Sequence, residues 1–226
     1  MPLHALRISR RIEVLILQRY LDVQPEDRLC DIGSGDGYWL EKIAKGARVT
    51  GIDIDWPSVT MAQAGHKRSN TAYTQSSATA MPFADGAFNK IYGVCSVEHI
   101  PDNTAAFREF GRCLEPGGVL ALTLDSLSFP TITEEHRRNH HEKYFTPHLY
   151  NREIVQECLD DAGFQLTDDE FIISSKGSNA LYLHIDRHPR LQYLFFPIAY
   201  PYVRISDRLF GSKDCGWKMA VRAVKI

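Results

Sequence analysis

Glycines alternate with polar residues in segment 31–37, which reads DIGSGDG. Glycine can adopt a positive φ, and it lets the backbone approach a ligand closely. An apolar stretch over 28–30 precedes the segment, and a helical pattern over 38–44 follows it. A helix that begins at this turn offers unpaired N–H groups and the positive end of its dipole. The residues therefore predict a strand, a turn and a helix that together bind a nucleotide-like ligand.

The spacing of Gly33, Gly35 and Gly37 discriminates between nucleotide classes. The dinucleotide fingerprint G-x-G-x-x-G would need its third glycine at position 38, where this chain has Tyr38. The acidic Asp31 precedes the turn and would repel a pyrophosphate, whereas it attracts an ammonium group. A G-x-G-x-G pattern after an acidic residue resembles motif I of the class I S-adenosylmethionine (SAM) methyltransferases. SAM carries an ammonium and a sulfonium group and no phosphate, so its charges agree with this resemblance.

A second predicted strand, over 48–54, ends in a carboxylate. Asp53 comes 22 residues after Asp31, and an acidic residue about 20 residues beyond a glycine turn is placed to bind ribose hydroxyls. The family resemblance puts that role on Asp53. The neighbouring Asp55 is predicted to cap a helix that begins near Pro57, or to face solvent.

Segment 76–83, SSATAMPF, resembles the part of the family that contacts adenine. Ser77 stands where the family has an aspartate that accepts from the adenine amino group, and a hydroxyl accepts without the help of a charge. We therefore expect adenine recognition to depend on the backbone near Ala78 and on packing against Ile54 and Met81.

Two later segments extend the resemblance. Segment 93–102, GVCSVEHIPD, is similar to the end of the family's fourth strand, where a Glu-His pair leads into a helix, and 114–120 is similar to its turn into strand five. Asn89 departs from the family, which has an aspartate at the start of strand four. The resemblance covers roughly positions 25 to 165. It implies that SAM, which leaves as S-adenosylhomocysteine, is bound by Asp31, Gly33, Ser34, Gly35, Gly37, Asp53, Ile54, Ser77, Ala78, Met81 and Cys95.

Alternating strand and helix patterns predict an α/β domain. The resemblance implies a Rossmann-like doubly wound sheet of seven strands, mostly parallel, with the last strand antiparallel and inserted beside strand five, and with helices on both faces. We expect one domain over 1–226, in which 1–24 forms an N-terminal helical cap and 177–216 is an insertion or lid before the last strand. Thr146 and Pro147 are predicted to begin the helix that precedes strand six.

Methyl transfer from SAM is an in-line displacement, which depends on holding the nucleophile, the methyl carbon and the sulfur collinear. A hydroxyl acceptor also needs a base, and histidine suits that role near neutral pH. The sequence offers His99, after strand four, and the pair His140 and His141 in the connection after strand five. We predict that His141 is the base or a substrate contact, with Tyr144 beside it, and that His99 is a second candidate. The alternatives are a backbone-bonding residue at a helix start for His99 and a solvated, charged loop for 134–143.

Segment 191–203 is rich in large apolar side chains and is flanked by arginines. It contains Pro197 and Pro201, which predicts that it is not one uninterrupted helix. One interpretation is a lid over a hydrophobic or lipid-linked acceptor, or a peripheral membrane contact through 191–205. The other interpretation is a helical hairpin packed on the sheet, or a dimer contact.

The composition excludes some classes of function. The chain has 226 residues and a formal net charge of −2, which lacks the basic excess of a general DNA or RNA binder. We expect a cytoplasmic protein, with contact at a membrane surface still open. The reasons are five cysteines without a C-x-x-C pair, no secretory leader and no run of about 18 apolar residues. Cys30 and Cys95 are predicted to be buried in strands. No Cys, His and Asp spacing predicts a metal.

The sequence therefore predicts an enzyme that transfers a methyl group from SAM to a small-molecule, lipid-linked or glycan-linked acceptor, with oxygen favoured as the acceptor atom. Three alternatives stay open. An aminopropyl transferase on the same fold would want a carboxylate in 95–97, and a NAD-linked oxidoreductase is disfavoured by Tyr38. The third alternative is a non-catalytic SAM-binding partner of another enzyme.

Overall fold

A computed structural model of the chain describes residues 7–66, 68–188 and 190–226. In that part of the chain the strands are β1 (Arg28–Ile32), β2 (Arg48–Asp53), β3 (Thr71–Gln75), β4 (Phe88–Val94), β5 (Leu114–Asp125), β6 (Phe164–Ile172) and β7 (Lys218–Lys225). The helices are α1 (Ile8–Leu21), α2 (Tyr38–Ala44), α3 (Trp56–Gly65), α4 (Asn103–Cys113), α5 (Glu134–Tyr144), α6 (Arg152–Asp161), α7 (Lys176–Arg187) and α8 (Leu191–Phe210). A short 3-10 turn, Val97–His99, follows β4.

The described strands form one sheet in the order β3-β2-β1-β4-β5-β7-β6. The strands from β3 to β5 run parallel, and β7 is antiparallel to both of its neighbours. The expected Rossmann-like doubly wound sheet, with its last strand inserted beside strand five, is confirmed. The chain builds one half of the sheet outward from β1 and then returns to place β4 on the other side of β1. The carboxyl ends of β1 and β4 therefore form a topological switch point, where ligands bind in folds of this kind.

Apolar side chains cover both faces of the sheet, as a sheet with helices on both sides requires. Leu29 of β1 packs in a cluster with α1, α2 and α3, whereas the next residue, Cys30, packs on the opposite face with α4 and α6. Phe107 and Phe110 of α4 are fully buried in that second cluster. The alternating side chains of one strand thus anchor both helical layers and fix the strand ends that carry the site.

The prediction that Pro197 and Pro201 interrupt their segment is wrong, because α8 continues through both. The two prolines are four residues apart, so they share one side of the helix, and both are exposed. The carbonyl groups that lose an N–H partner therefore lie where water can bond to them. On the other side Ala199 and Val203 are buried, and α7 packs against α8 in a helical hairpin. Neither α8 nor any other helix in the described part of the chain is both long and apolar enough to cross a membrane.

The helix predicted to begin at Thr146 and Pro147 begins later, at Arg152. Asn151 takes the N-cap position, where its side chain accepts from the N–H of Ile154 at 2.9 Å. Asparagine is a better N-cap than threonine, so the stronger of two available caps sets the start of α6.

The connection after β5 is helical, where a solvated loop was one expectation. α5 begins after Thr133, whose side chain accepts from the N–H of His136, and it is followed by Phe145 in the left-handed conformation. None of the residues of α5 is fully buried. Its capping and polar contacts therefore contribute more to its position than an apolar face does.

Candidate active site

A cleft of about 470 Å³, here called the switch-point cleft, lies over the carboxyl ends of β1, β2, β3 and β4. Six of the residues predicted to bind the cofactor line it, namely Gly33, Asp53, Ile54, Ser77, Ala78 and Cys95. The other five predicted residues, Asp31, Ser34, Gly35, Gly37 and Met81, are not on its wall. The structure thus brings residues from four strand ends to one space, as the strand order requires.

The glycine turn packs tightly against its neighbours. The N–H groups of Gly33 and Ser34 both donate to the carbonyl of Ile52 at 2.9 Å. Gly33 has a φ of +70°, and a Cβ there would come within 2.6 Å of the Cβ of Ser96. Position 33 therefore requires glycine, and its bare backbone forms part of the cleft wall.

Asp53 ends β2 and connects the glycine turn to the next loop. Its Oδ2 accepts from the N–H of Gly35 at 2.8 Å, and its Oδ1 accepts from the N–H of Asp55 at 2.9 Å. Asp55 itself caps α3 by accepting from the N–H of Ser58 at 2.9 Å, which confirms its predicted capping role. Of these two carboxylates, only that of Asp53 lines the cleft, where its remaining lone pairs can accept from sugar hydroxyls.

Asp31 is buried at the end of β1, with 2% of its surface exposed. Its Oδ1 has no hydrogen-bond partner among the described residues. Burial raises the pKa of Asp31 to about 8, and the Asp53 carboxylate adds to that shift. A cation beside Asp31 would oppose both effects, because it stabilises the ionised carboxylate. An ammonium group placed there would therefore favour the ionised form of Asp31.

The opposite end of the cleft offers an apolar side chain and hydroxyl groups. Ile54 lines it and is 72% exposed, so its side chain is free to cover a flat ring. The Ser77 hydroxyl lies 2.7 Å from that of Thr79. Met81, which was expected to pack on the same ring, is instead buried in the core, and its N–H donates to Glu109 at 2.7 Å. Of the two predicted packing residues, Ile54 is therefore the one that reaches the cleft.

Cys95 and His99 line both the switch-point cleft and a second space of about 170 Å³, here called the polar pocket. Cys95 lies one residue beyond β4 rather than inside the strand as predicted, with a φ of +48°, and its N–H donates to the Thr123 carbonyl at 3.0 Å. His99 ends the 3-10 turn, and its Nδ1 lies 2.9 Å from the carbonyl oxygen of Phe145. The cleft and the polar pocket therefore adjoin at these two residues. The charged and ionisable lining of the polar pocket includes Arg10, Glu13, Glu98, Asp125, His140 and Lys218.

Asp125, at the end of β5, organises the polar pocket. It lies opposite Lys218 of β7 in the sheet register and contacts the Lys218 ammonium. Its Oδ2 lies 2.7 Å from Nε2 of His140. Burial alone would raise the pKa of Asp125, but Lys218 and His140 hold it well below its usual range. Because an ionised carboxylate can only accept, Nε2 of His140 carries a hydrogen, and in a neutral imidazole the lone pair is then on Nδ1.

The second ring nitrogen of His140, Nδ1, is buried and has no hydrogen-bond partner in the described part of the chain. Tyr144 also lines the polar pocket, and its ring centre lies 4.8 Å from that of His140. His141 lines neither space, and its Nδ1 lies 3.0 Å from the carbonyl oxygen of Thr146. The structure thus brings His140, rather than its neighbour His141, to the pocket.

Helix α1 contributes an ion pair to the polar pocket. Glu13 is fully buried and accepts from the Cys95 thiol at 3.0 Å and from the Thr123 hydroxyl at 3.2 Å. Burial would raise the pKa of Glu13, but Lys218 and Arg10 together lower it. Glu13 is therefore ionised, and the docking of α1 depends on charges at the end of the sheet.

Glu98 is buried in the same pocket, and neither of its carboxyl oxygens has a hydrogen-bond partner among the described residues. Burial, and after it the Asp125 charge, raise the pKa of Glu98 to about 8, so near neutral pH it is largely a neutral acid that can donate. Ligand atoms of Cys95, Glu98 and Asp125 lie within 4.8 Å of one another, a spacing open to a metal ion. The Lys218 ammonium, however, lies 2.9 Å from the Cys95 sulfur and contacts Asp125. The lysine therefore already supplies positive charge to this group.

Three of the residues that line the polar pocket were not predicted from the sequence, namely Glu13, Asp125 and Lys218. The position of Asp125 at the carboxyl end of a strand is a signal that could have found it. Glu13 belongs to an otherwise apolar helical pattern, and Lys218 begins an antiparallel strand, so no local signal marks either residue.

Known proteins match this chain in sequence and in fold. Residues 30–122 match the family model of a methyltransferase domain. The O-methyltransferase resE of Aspergillus sclerotiorum is 29% identical over 146 residues, which cover 62% of this chain and 55% of that protein. Cycloartenol-C-24-methyltransferase 1 of rice (Oryza sativa subsp. japonica) is 28% identical over 174 residues, which cover 72% of this chain and 50% of that protein. The solved structure of Haemonchus contortus phosphoethanolamine N-methyltransferase 2 with SAM shares the fold, with a TM-score of 0.69 and 19% sequence identity. The match covers 95% of this chain and 52% of the Haemonchus chain.

The strand order and the position of the cleft define a Rossmann-like domain with a cleft at its switch point. Over residues 30–122 the chain is similar to a methyltransferase domain, and the relatives described above are named as methyltransferases. It spans about half the length of the three relatives described above, at 55%, 50% and 52%. The names of those relatives specify methylation at oxygen, carbon and nitrogen, so they do not define one acceptor atom for this chain.

Proposed function

We propose that this protein transfers the methyl group of SAM to a hydroxyl oxygen of an acceptor bound in the polar pocket. The observation that carries the proposal is the junction at Cys95 and His99. There a cleft suited to an adenosyl amino acid adjoins a pocket lined by His140, whose ring is held by Asp125.

The residues of the switch-point cleft suit the parts of SAM, which supplies an electrophilic methyl group when it is bound. Asp53 would accept from the two ribose hydroxyls, and Asp31 would stabilise the ammonium group. Ile54 would cover the adenine, and the bare backbone of Gly33 would let the ligand approach the turn. The Asp53 carboxylate on the cleft wall also opposes a diphosphate, which argues against a dinucleotide in the same place.

His140 accounts for the proton that methyl transfer to a hydroxyl releases. Its Nδ1 would take that proton, while Asp125 holds the ring through Nε2 and stabilises the imidazolium that forms. Lys218 keeps Asp125 ionised and so keeps the imidazole in the required tautomer. We propose that His99 and Tyr144, which line the same pocket, position the acceptor. His141 would support the end of α5 through the carbonyl of residue 146.

The polar pocket limits the kind of acceptor. A space of about 170 Å³ holds a small polar molecule or the polar end of a larger one. The neutral carboxyl of Glu98 can donate to an acceptor oxygen, and Arg10 adds positive charge at the wall. A small hydroxylated compound fits this description, and so does the hydroxyl-bearing end of a lipid-linked or glycan-linked one.

Aminopropyl transfer from decarboxylated SAM is a second candidate, because the pocket holds three buried carboxyl groups of the kind that a polyamine requires. These groups belong to Glu13, Glu98 and Asp125. The cations Lys218 and Arg10 already neutralise the two that are ionised, which leaves little negative charge for a polyamine. This balance favours the methyl-transfer proposal.

Titration calorimetry with four ligands tests the proposal at the cofactor. We expect SAM and S-adenosylhomocysteine to bind, and we expect no binding of NAD. Methyl-labelled SAM then tests transfer to a panel of phenols, sugars and lipid-linked alcohols, with the labelled atom located in the product. Preferred binding of NAD would overturn the proposal, and preferred binding of decarboxylated SAM, the fourth ligand, would support the second candidate instead.

A further inference from the structure

Helix α8 presents an apolar surface that the fold does not use. Six large side chains on it are 47–72% exposed: Leu194, Phe195, Ile198, Tyr202, Ile205 and Leu209. At 3.6 residues per turn they lie within an arc of about 100° along four turns of the helix. We call this surface the α8 stripe. Isolated exposed apolar side chains are ordinary, but a continuous stripe of this length marks a surface that binds something.

The opposite side of α8 holds the helix firmly on the domain. Ala199 and Val203 are buried in the core, and the rings of Phe196 and Tyr200 stack with centres 5.3 Å apart. Near the end of the helix, the Asp207 carboxylate accepts from three consecutive backbone N–H groups in the loop before α7. The α8 stripe is therefore presented by a helix whose other face is already fully packed.

Positive charge borders the α8 stripe. Arg204 and Arg208 are exposed on one flank, and Lys176 is exposed on the other. The only acidic residue in the sequence of α8 is Asp207, and its carboxylate is turned inward to the loop. Arg190, at the start of the helix, is exposed as well. The exposed face of α8 thus combines apolar side chains with basic ones and has no acidic side chain to balance them.

An apolar groove of about 550 Å³ runs beside the stripe. Tyr202, Ile205 and Phe210 line it from α8, and Lys176 and Gly177 close it from α7. A groove of this composition accepts a hydrocarbon chain. Lys176 at its edge is placed to contact the charged head group of the same lipid.

We propose that the α8 stripe docks on the surface of a bilayer that contains anionic lipids. One partner then satisfies both features, because acyl chains take up the apolar side chains and anionic head groups pair with the basic flank. A second copy of this chain would instead bring a second positively charged edge and no carboxylate to pair with it. The inference does not depend on methyl transfer, because it rests on helix α8 and the start of α7.

Co-sedimentation of the full-length protein with vesicles tests the proposal. Two vesicle types are compared, phosphatidylcholine alone and phosphatidylcholine with phosphatidylglycerol. We expect the protein to sediment with the anionic vesicles and to be released by added salt. The variant Ile198→Glu/Ile205→Glu should bind at least about tenfold more weakly, and Arg204→Glu/Arg208→Glu should lose the preference for anionic vesicles.

A matched control carries the same substitutions at exposed apolar positions on other helices. Met61→Glu/Ile154→Glu replaces side chains that are 63% and 38% exposed on α3 and α6, and it should bind like the unmodified protein. Failure of the unmodified protein to sediment with either vesicle would overturn the proposal, as would equal binding by the stripe variant. A dimer in light scattering that Ile198→Glu/Ile205→Glu dissociates would assign the stripe to a second copy and would overturn it too.

Discussion

Replacing the histidine of the polar pocket is the perturbation that separates the catalytic proposal from a purely structural role. In His140→Gln the side-chain amide can still donate to Asp125, so the contact now made by Nε2 at 2.7 Å has a substitute. What disappears is the basic lone pair on Nδ1, which has no other partner among the described residues. General-base catalysis contributes about 10²–10⁴-fold, so kcat should fall by that factor, which corresponds to about 3–5 kcal/mol in the barrier.

The assay follows S-adenosylhomocysteine release with an acceptor identified by label transfer, under saturating SAM. The matched control is His141→Gln, because that ring lies next in sequence but lines neither the cleft nor the polar pocket. We expect the control to keep kcat within about threefold and both variants to keep their affinity for S-adenosylhomocysteine. A large loss in His141→Gln with little loss in His140→Gln would refute the assignment of the base and would return that role to His141.

Three further outcomes are expected. Asp53→Ala should weaken S-adenosylhomocysteine binding about 10- to 150-fold in calorimetry, because charge-assisted hydrogen bonds contribute about 1.5–3 kcal/mol. The control Asp55→Ala should leave the affinity nearly unchanged. Equal losses of affinity in the two variants would contradict the assignment of Asp53 to the ribose. The folded protein holds a proton on Glu98 up to about pH 8, whereas the unfolded chain loses it near the ordinary value of 4.5, so this residue makes stability fall as pH rises between those limits. Urea unfolding at several pH values gives the free energy of unfolding as a function of pH. In Glu98→Gln the slope of that free energy against pH should be flatter by up to about 1.4 kcal/mol per pH unit, and an unchanged slope would contradict the raised pKa of Glu98. Phe110→Ala should lower the free energy of unfolding by about 3–5 kcal/mol, since the ring is fully buried beneath the sheet; a loss below about 1 kcal/mol would mean that α4 repacks.

The parts of the site that depend on neighbours in sequence could be predicted. The glycine turn and the acidic residue at the end of β2 are marked by spacing alone, and Asp55 caps its helix through a residue three positions away. The strand order followed from the family resemblance and is confirmed. These features share one physical basis, because short-range geometry fixes the turn, the cap and the strand end.

The polar pocket could not be assembled from the sequence in the same way. Glu13 and Lys218 are about two hundred positions apart, and they meet only after α1 docks and β7 inserts antiparallel beside β5. Which member of a histidine pair faces inward depends on the helical phase of α5, and a polar segment with no buried face gives no sign of that phase. Helix α8 shows the converse, because a local rule about Pro197 and Pro201 was overridden by packing on the far side of the helix.

A crystal structure with S-adenosylhomocysteine is the most direct test of the central claim, that the two spaces meet at the reaction centre. We expect the ribose at Asp53, the amino group toward Asp31, and the sulfur between Cys95 and His99, facing the polar pocket. A ligand bound outside the switch-point cleft, or one whose sulfur points away from His140, would contradict the account.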